Sequence, residues 1–215
     1  RYEAYLIFTG SLLLMELLGV LVKWLQSRPQ GRFTPLTAAV LMLTLLLLLP
    51  LAYRGGNALS AYPLAVRNIH EQQVQMARFV SRFYNGKTIV ANDIGAISYY
   101  NDIHLIDIVG LANRQTGRWW QEGSWSPEKV NHLAAEQGAA LAVLYPQWFD
   151  LYPKPAEWVE AGRWQIADNI VCTSDTVGFY ALNAERADEI AQNLRAFSPE
   201  LPPTVEWQVS VPPTP

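Results

Sequence analysis

The sequence predicts an α/β protein in which two N-terminal transmembrane helices precede a small extracytoplasmic α/β sandwich with a mixed sheet. Three observations predict it. Phe33 to Tyr53 is a run of twenty-one residues without a charge. Beyond residue 68, short apolar strands alternate with helical stretches, the pattern of a layered α/β domain. Charge also divides along the chain: residues 1–53 stand at +2 and residues 54–215 at −5.

Residues 1–53 read as a transmembrane hairpin with spans at about 4–22 and 33–53. As a helix, the uncharged run extends roughly 30 Å, the thickness of a hydrocarbon core. The earlier stretch, Ala4 to Val22, is nearly as apolar and carries one charge, Glu16. A signal peptide does not fit, because no initiating Met or basic segment precedes it and a second apolar segment follows at once. The beginning at Arg1 reads as the continuation of a longer chain. Between the spans, Lys23, Arg28 and Arg32 stand without an acid, which places that loop in the cytoplasm and everything after Tyr53 outside it. Localisation is therefore the cell membrane, multi-pass, with membrane lipid as a partner. Glu16 is either a functional intramembrane carboxylate or a polar contact to a neighbouring span.

Residues 54–198 read as the extracytoplasmic α/β domain. Residues 54–61 (RGGNALSA) look like a loose linker. Asn68 to Tyr84 has the helical period, with Ile69, Met76, Val80 and Phe83 on one side and Glu71, Gln75, Arg78 and Arg82 on the other; Asn85-Gly86 stops it. Lys87 to Asn92 is a strand turning into a short helix around Gly95, and His104 to Val109 is a second buried strand. Ser126-Pro127-Glu128 starts a helix with a Ser cap and Pro in its first turn, ended by Gly138. Ala139 to Tyr145 is continuously apolar, as strands inside a parallel sheet are. Trp164 to Val171 and Val177 to Leu182 predict an antiparallel pair at the sheet edge. Ala187 to Phe197 is a last helix, and residues 199–215, with six prolines, predict an extended tail.

Several function classes are excluded. One cysteine, Cys172, forms no intramolecular disulfide, and a net charge of −3 without a basic tail argues against nucleic acid as partner. HExxH, CxxC, Walker, GxGxxG and GxSxG motifs are absent, and His70, His104 and His132 lack ligand spacing, so neither metal nor cofactor is expected. Chemistry concentrates in Asn92 to Asn113. Asp93, Asp102 and Asp107 surround two strand ends, where open α/β sheets bind ligands. Asp93 is either a helix cap or a ligand group. Asp107, inside an apolar strand, is either paired within the fold or held for substrate. Asp102 after Asn101 fits a turn. In the loop Asn113 to Ser126, Trp119, Trp120 and Trp125 stand beside Arg114 and Arg118. The indoles either stack on sugar rings, rest at lipid headgroups or pack over the sheet, and the arginines suit phosphate. The substrate-binding candidates are thus Asp93, Asp107, Arg118, Trp119 and Trp120.

The blocks Asp93-Ile94-Gly95-Ala96-Ile97-Ser98-Tyr99, Ile106-Asp107-Ile108-Val109-Gly110-Leu111 and Val143-Leu144-Tyr145-Pro146-Gln147-Trp148-Phe149 resemble the extracytoplasmic C-terminal domains of bacterial polytopic GT-C type glycosyltransferases. These are the relatives of protein mannosyltransferases and lipid A aminoarabinose transferases. The resemblance covers about residues 55–185 and the preceding spans; Ser98 departs from the family's usual glycine. It implies a polyprenyl-phosphate sugar donor and a catalytic acid upstream of this chain, in the first extracytoplasmic loop. It also implies that this part serves as lid or acceptor-binding domain beside the remaining transmembrane helices of the same protein. The other reading is a non-catalytic, membrane-anchored accessory subunit assembled with partner membrane subunits.

Overall fold

The computed structural model of the protein describes residues 2–27 and 35–210, and the chain forms two compact units, Arg1–Asn57 and Ala58–Pro215. The first unit holds helix α1 (Tyr2–Gln26) and the beginning of helix α2 (Pro35–Ile69). Both are long and apolar enough to cross a membrane, and neither apolar window is buried inside the protein. Glu16 is exposed on α1. Arg28 and Arg32, two of the three charges behind the expected topology, lie outside the described residues.

Residues 54–61 are helix rather than linker, because α2 runs through them to Ile69. Two glycines cost roughly 1 kcal/mol each against alanine, which a long hydrogen-bonded helix tolerates. A single π-helical turn, His70–Val74, then leads into α3 (Gln75–Phe83), and Gly86 at φ 74° reverses the chain. The expected solvent side of this helix is only half exposed: Arg78 and Arg82 face water, while Glu71 and Gln75 are buried together with Asn68 and Gln72. Asn68, Gln72 and Gln75 are inside because they bond backbone, and Glu71 because it accepts from Thr204. Asn68 donates to the Ala167 carbonyl at 3.3 Å and accepts from the Ile170 amide at 3.0 Å, and Gln72 donates to the Ser174 carbonyl at 2.9 Å. Helical period separates apolar from polar residues but does not distinguish a solvated amide from one that replaces its water with a buried carbonyl.

The second unit is built on strands β1 (Thr88–Ala91), β2 (His104–Asp107), β3 (Leu141–Leu144), β4 (Val159–Gln165), β5 (Thr176–Ala181) and β6 (Glu206–Val209). They form one mixed sheet in the order β2-β1-β3-β5-β4-β6; β1 pairs in parallel with β2 and β3, and the remaining pairs are antiparallel. Alternate side chains of the central strands enter two separate cores. Ile89, Leu141, Val143 and Phe179 pack with Phe79 of α3 and with Leu194 and Phe197 of the helix Ala187–Phe197. Val90, Ala142, Leu144 and Tyr180 pack with Val130 and Leu133 of the helix Pro127–Glu136. Burial on both faces is why these strands read as unbroken apolar runs.

Two expectations at the sheet's edge are corrected. The strand expected over Trp164 to Val171 begins earlier, at Val159, and stops at Gln165, since residues 166–175 turn back under the grip of Asn68 and Gln72. Nor do β4 and β5 form the edge. Residues 206–209, read as part of a proline-rich tail, pair with β4 over Gly162 to Gln165 and become the outermost strand. Proline at 202 and 203 lies before the strand and leaves its ladder amides intact.

Candidate functional site

The parallel half of the sheet sets where a ligand crevice would open. From β1 the chain crosses to β2 through helix α4 (Gly95–Tyr99), whose Ile97 enters the core with Phe79; from β2 it returns to β3 across the opposite face. The winding reverses between β1 and β3, and the space beyond their C-terminal ends is the switch point where such folds bind ligands. Here that space is filled. Asp93, just past β1, accepts from the Tyr145 hydroxyl at 2.5 Å, from Gln73 Nε2 at 2.8 Å and from the Gly95 amide at 3.2 Å. Asn92 accepts from the Tyr145 amide at 3.2 Å. Both oxygens of Asp93 are therefore engaged by the fold. Gln73 and Tyr145, absent from the sequence-derived candidates, close the site from the π-helical turn and from the end of β3.

Asp107 is fully buried at the end of β2. Its Oδ1 accepts from the Val109 amide at 2.9 Å and its Oδ2 from the Ala112 amide at 2.7 Å, while its carbonyl accepts from Thr116 Oγ1 at 2.6 Å. The carboxylate thus staples a turn and does not face a ligand. Asp107 is thus paired within the fold, one of its two sequence readings; Asp93 does not cap α4, whose N-cap position is Ile94, and its bond from the Gly95 amide makes an Asx-type turn ahead of that helix.

Beyond that turn, the stretch expected as a loop forms helix α5 (Arg114–Gln121). It is short, and its start is fixed by Asn113, whose side chain accepts from the Gln115 and Thr116 amides at 2.9 and 3.2 Å. Helix α6 (Pro127–Glu136) follows, capped by Ser126 as expected. The two adjacent tryptophans of α5 are both half-buried but have different neighbours. Trp120 donates from Nε1 to the Ile108 carbonyl at 2.9 Å and stacks on Trp125 at 5.2 Å, with Trp148 and Tyr152 edge-on. It is packing over the sheet.

Trp119, half-buried and packed against the second core, also borders an open cleft of about 580 Å³ with Arg114, Gln115, Arg118, Glu122 and Lys129. Lys129 lies 5.7 Å from the Trp119 ring centroid and donates to the Ser124 carbonyl at 2.8 Å. Among the described residues neither Arg114 nor Arg118 pairs with a carboxylate. Three cations, one acid and an indole face make a site for an anion carried on a flat or ring-shaped body. Of the five sequence candidates, the structure brings Arg118 and Trp119 together and leaves Asp93, Asp107 and Trp120 in the fold's own bonding. Arg114, Gln115 and Lys129 join them from α5 and α6. No three His, Cys, Asp or Glu side chains among the described residues are placed to hold a metal ion.

Burial also leaves a titration signature. It is the main cause that pushes the Tyr84 hydroxyl up to about 12 and the Cys172 thiol up to about 11, and it raises Tyr145 and Tyr180 further; neighbouring Asp93 adds to the rise of Tyr145 and Cys172, and Glu160 to that of Tyr180. Each group is held neutral in the folded chain. Stability is whole below the ordinary thiol and phenol values of 9.0 and 10.0 and is lost as pH rises past them toward 12. Urea midpoints measured between pH 8 and pH 11.5 are expected to fall only in the upper part of that range; a flat profile would contradict the burial of these four groups.

These features define a chain with two helices apolar enough for a membrane and a doubly wound α/β domain bearing a cationic, indole-lined cleft. The family model described as Domain of unknown function (DUF8728) matches residues 67–180, more than half of the chain, and the chain belongs to that family. No curated protein and no solved structure matches it.

Proposed function

We propose that this chain is the C-terminal part of an integral-membrane glycosyltransferase that moves a sugar from a polyprenyl-phosphate donor to an extracytoplasmic acceptor. Its α/β domain serves as lid or acceptor-binding domain. The observation that carries this reading is the cleft: among the described residues Arg114 and Arg118 pair with no carboxylate, and they line it beside the half-buried indole of Trp119 and Lys129. Guanidinium groups suit phosphate oxygens and an indole suits a sugar ring, so the pair matches both halves of a sugar phosphate. The two apolar helices fit a lipid-linked donor, and the resemblance of the Asp93, Asp107 and Val143 segments points the same way. In this reading the soluble domain stands outside the cytoplasm and a catalytic carboxylate comes from elsewhere in the enzyme, because Asp93 and Asp107 are both committed to backbone and side-chain donors of the fold.

That commitment also favours the second reading, an accessory subunit that binds without transferring. The two separate by assay in intact membranes. Trp119→Ala and Arg118→Ala are each expected to lower transfer by about tenfold, the worth of one stacking or charge-assisted contact, with expression unchanged. Transfer at the wild-type rate in both variants, with the protein folded and inserted, would remove the cleft from the reaction and with it the glycosyltransferase reading.

A further inference from the structure

The exposed large apolar side chains of the domain are unevenly placed. Strands β1, β2 and β3 run in parallel, and β4 ends on the same side as β3 because both are antiparallel to β5. Leu111 lies just past β2, Leu151 follows β3, and Ile170 and Val171 lie in the turn between β4 and β5. All four are exposed, Leu111 at 80% and Leu151 at 77%. They come from three separate connections that leave the sheet at one end. At the other end, residues 84–87, 137–140 and 182–186 contribute no exposed large apolar residue, while Tyr99 and Tyr100, both with phenol hydroxyls, are exposed where α4 ends ahead of β2. An exposed cluster of this kind marks a contact surface.

The chain enters the domain at that same end. Asn68 holds Ile170 and Ala167, Arg67 meets Asp168 at 3.3 Å, and Gln73 meets Asp93 past β1. The helix residues leading in, Tyr62 and Val66, are exposed as well, so apolar surface continues along α2 to the rim of the domain. In sequence, Tyr62 stands nine residues beyond the uncharged run that ends at Tyr53. We infer that the end of the domain formed by Leu111, Leu151, Ile170 and Val171 rests on a lipid bilayer, in its headgroup layer. Asp150 and Asp168 stand in the same connections and keep the contact interfacial, since carboxylates are costly in the acyl interior. Tyr62 suits the same depth. The inference rests on the membrane attachment contained in the proposed function and goes beyond it, because it assigns lipid contact to the α/β domain itself.

The experiment uses the full chain in nanodiscs of phosphatidylcholine and phosphatidylglycerol. Cys172, which is buried, is replaced by alanine, and a nitroxide is placed in turn at Leu111, Leu151 and Ile170 through single cysteines. Leu46 in the apolar run and Glu136 on α6 serve as references, both exposed in the folded chain. Collision with oxygen and with a water-soluble nickel chelate is read at each site. The rim sites are expected to lose nickel accessibility relative to Glu136 and to gain oxygen accessibility toward Leu46. Three outcomes overturn the inference. Nickel access equal to that at Glu136, with Leu46 lipid-exposed, leaves the membrane attachment standing and sinks only the rim contact. Shielding from both probes means that a protein, a second copy or another chain, covers the rim. Nickel access at Leu46 removes the membrane reading itself.

Discussion

Asp107→Ala is expected to lower the stability of the α/β domain by about 2–4 kcal/mol, because two backbone amides lose a charged acceptor at once. The carboxylate is fully buried at the end of β2 and accepts from Val109 and Ala112, and its own carbonyl receives Thr116 of α5. One residue therefore fixes both the direction in which the chain leaves the sheet and the start of the next helix. Asp107→Asn is expected to recover less than half of the loss, since an amide offers one acceptor oxygen and turns its NH₂ toward the second donor. Asp102, four residues before the buried part of β2 and exposed, is the control, and its alanine variant should stay within about 0.5 kcal/mol of wild type. Urea denaturation of the chain in detergent, with hydrogen exchange resolved over residues 107–121, checks both the size and the place of the effect. A loss below about 1 kcal/mol would mean that the turn does not depend on the carboxylate.

Much of this arrangement could be read before any coordinates. The strands at Thr88, His104 and Leu141 were visible because both their faces are buried, and α6 because Ser126 and Pro127 announce a helix start. The apolar helices were visible because a span admits few other compositions. What failed to show depends on partners distant in sequence. Residues 54–61 contain Gly55, Gly56 and several small side chains, a linker's composition, yet the helix continues through them. Residues 206–209 become a strand because β4 offers an edge with Gly162, whose missing side chain lets Gln208 and Val209 approach. Glu71 and Gln75 fall on the polar side of the helical period but face the C-terminal segment and the helix's own backbone, as in the bonds of Glu71 to Thr204 and of Gln75 to the His70 carbonyl.

The candidate site divided in the same way. Asp93 and Asp107 were found by residue type and position, but type alone could not say whether their oxygens were free; that required Gln73 and Tyr145, 20 and 52 residues away from Asp93. Trp119 and Trp120 are neighbours on a helix that the sequence did not predict, and a helix turns adjacent residues by about 100°, so Trp120 reaches the Ile108 carbonyl while Trp119 packs at the second core and borders the cleft.

The cleft's shape depends on a second feature of the same turn, and Gly110→Ala is expected to disturb both stability and site. Gly110 sits at φ 83°, and a Cβ there would lie 2.5 Å from the Gly117 Cα and amide nitrogen; a Cβ on Gly117 would lie 2.8 Å from the Gly110 carbonyl oxygen. The turn and helix α5 are thus in backbone-to-backbone contact, with no flexible side chain to move aside. The substitution adds left-handed strain of about 1–2 kcal/mol to an overpacking cost of about 1–3 kcal/mol, and we expect a total near 3 kcal/mol. Gly86→Ala isolates the first contribution, because φ there is 74° and nothing stands within 4 Å of the added carbon. The excess of Gly110→Ala over Gly86→Ala in denaturant unfolding then measures the contact alone. Because α5 carries Arg114, Arg118 and Trp119, pushing it off the turn should also weaken anion binding at the cleft, whereas Gly86→Ala, at the far end of the sheet, should leave it intact. Equal losses in the two variants, with unchanged affinity for inorganic phosphate, would show that α5 is not held against the turn in this way.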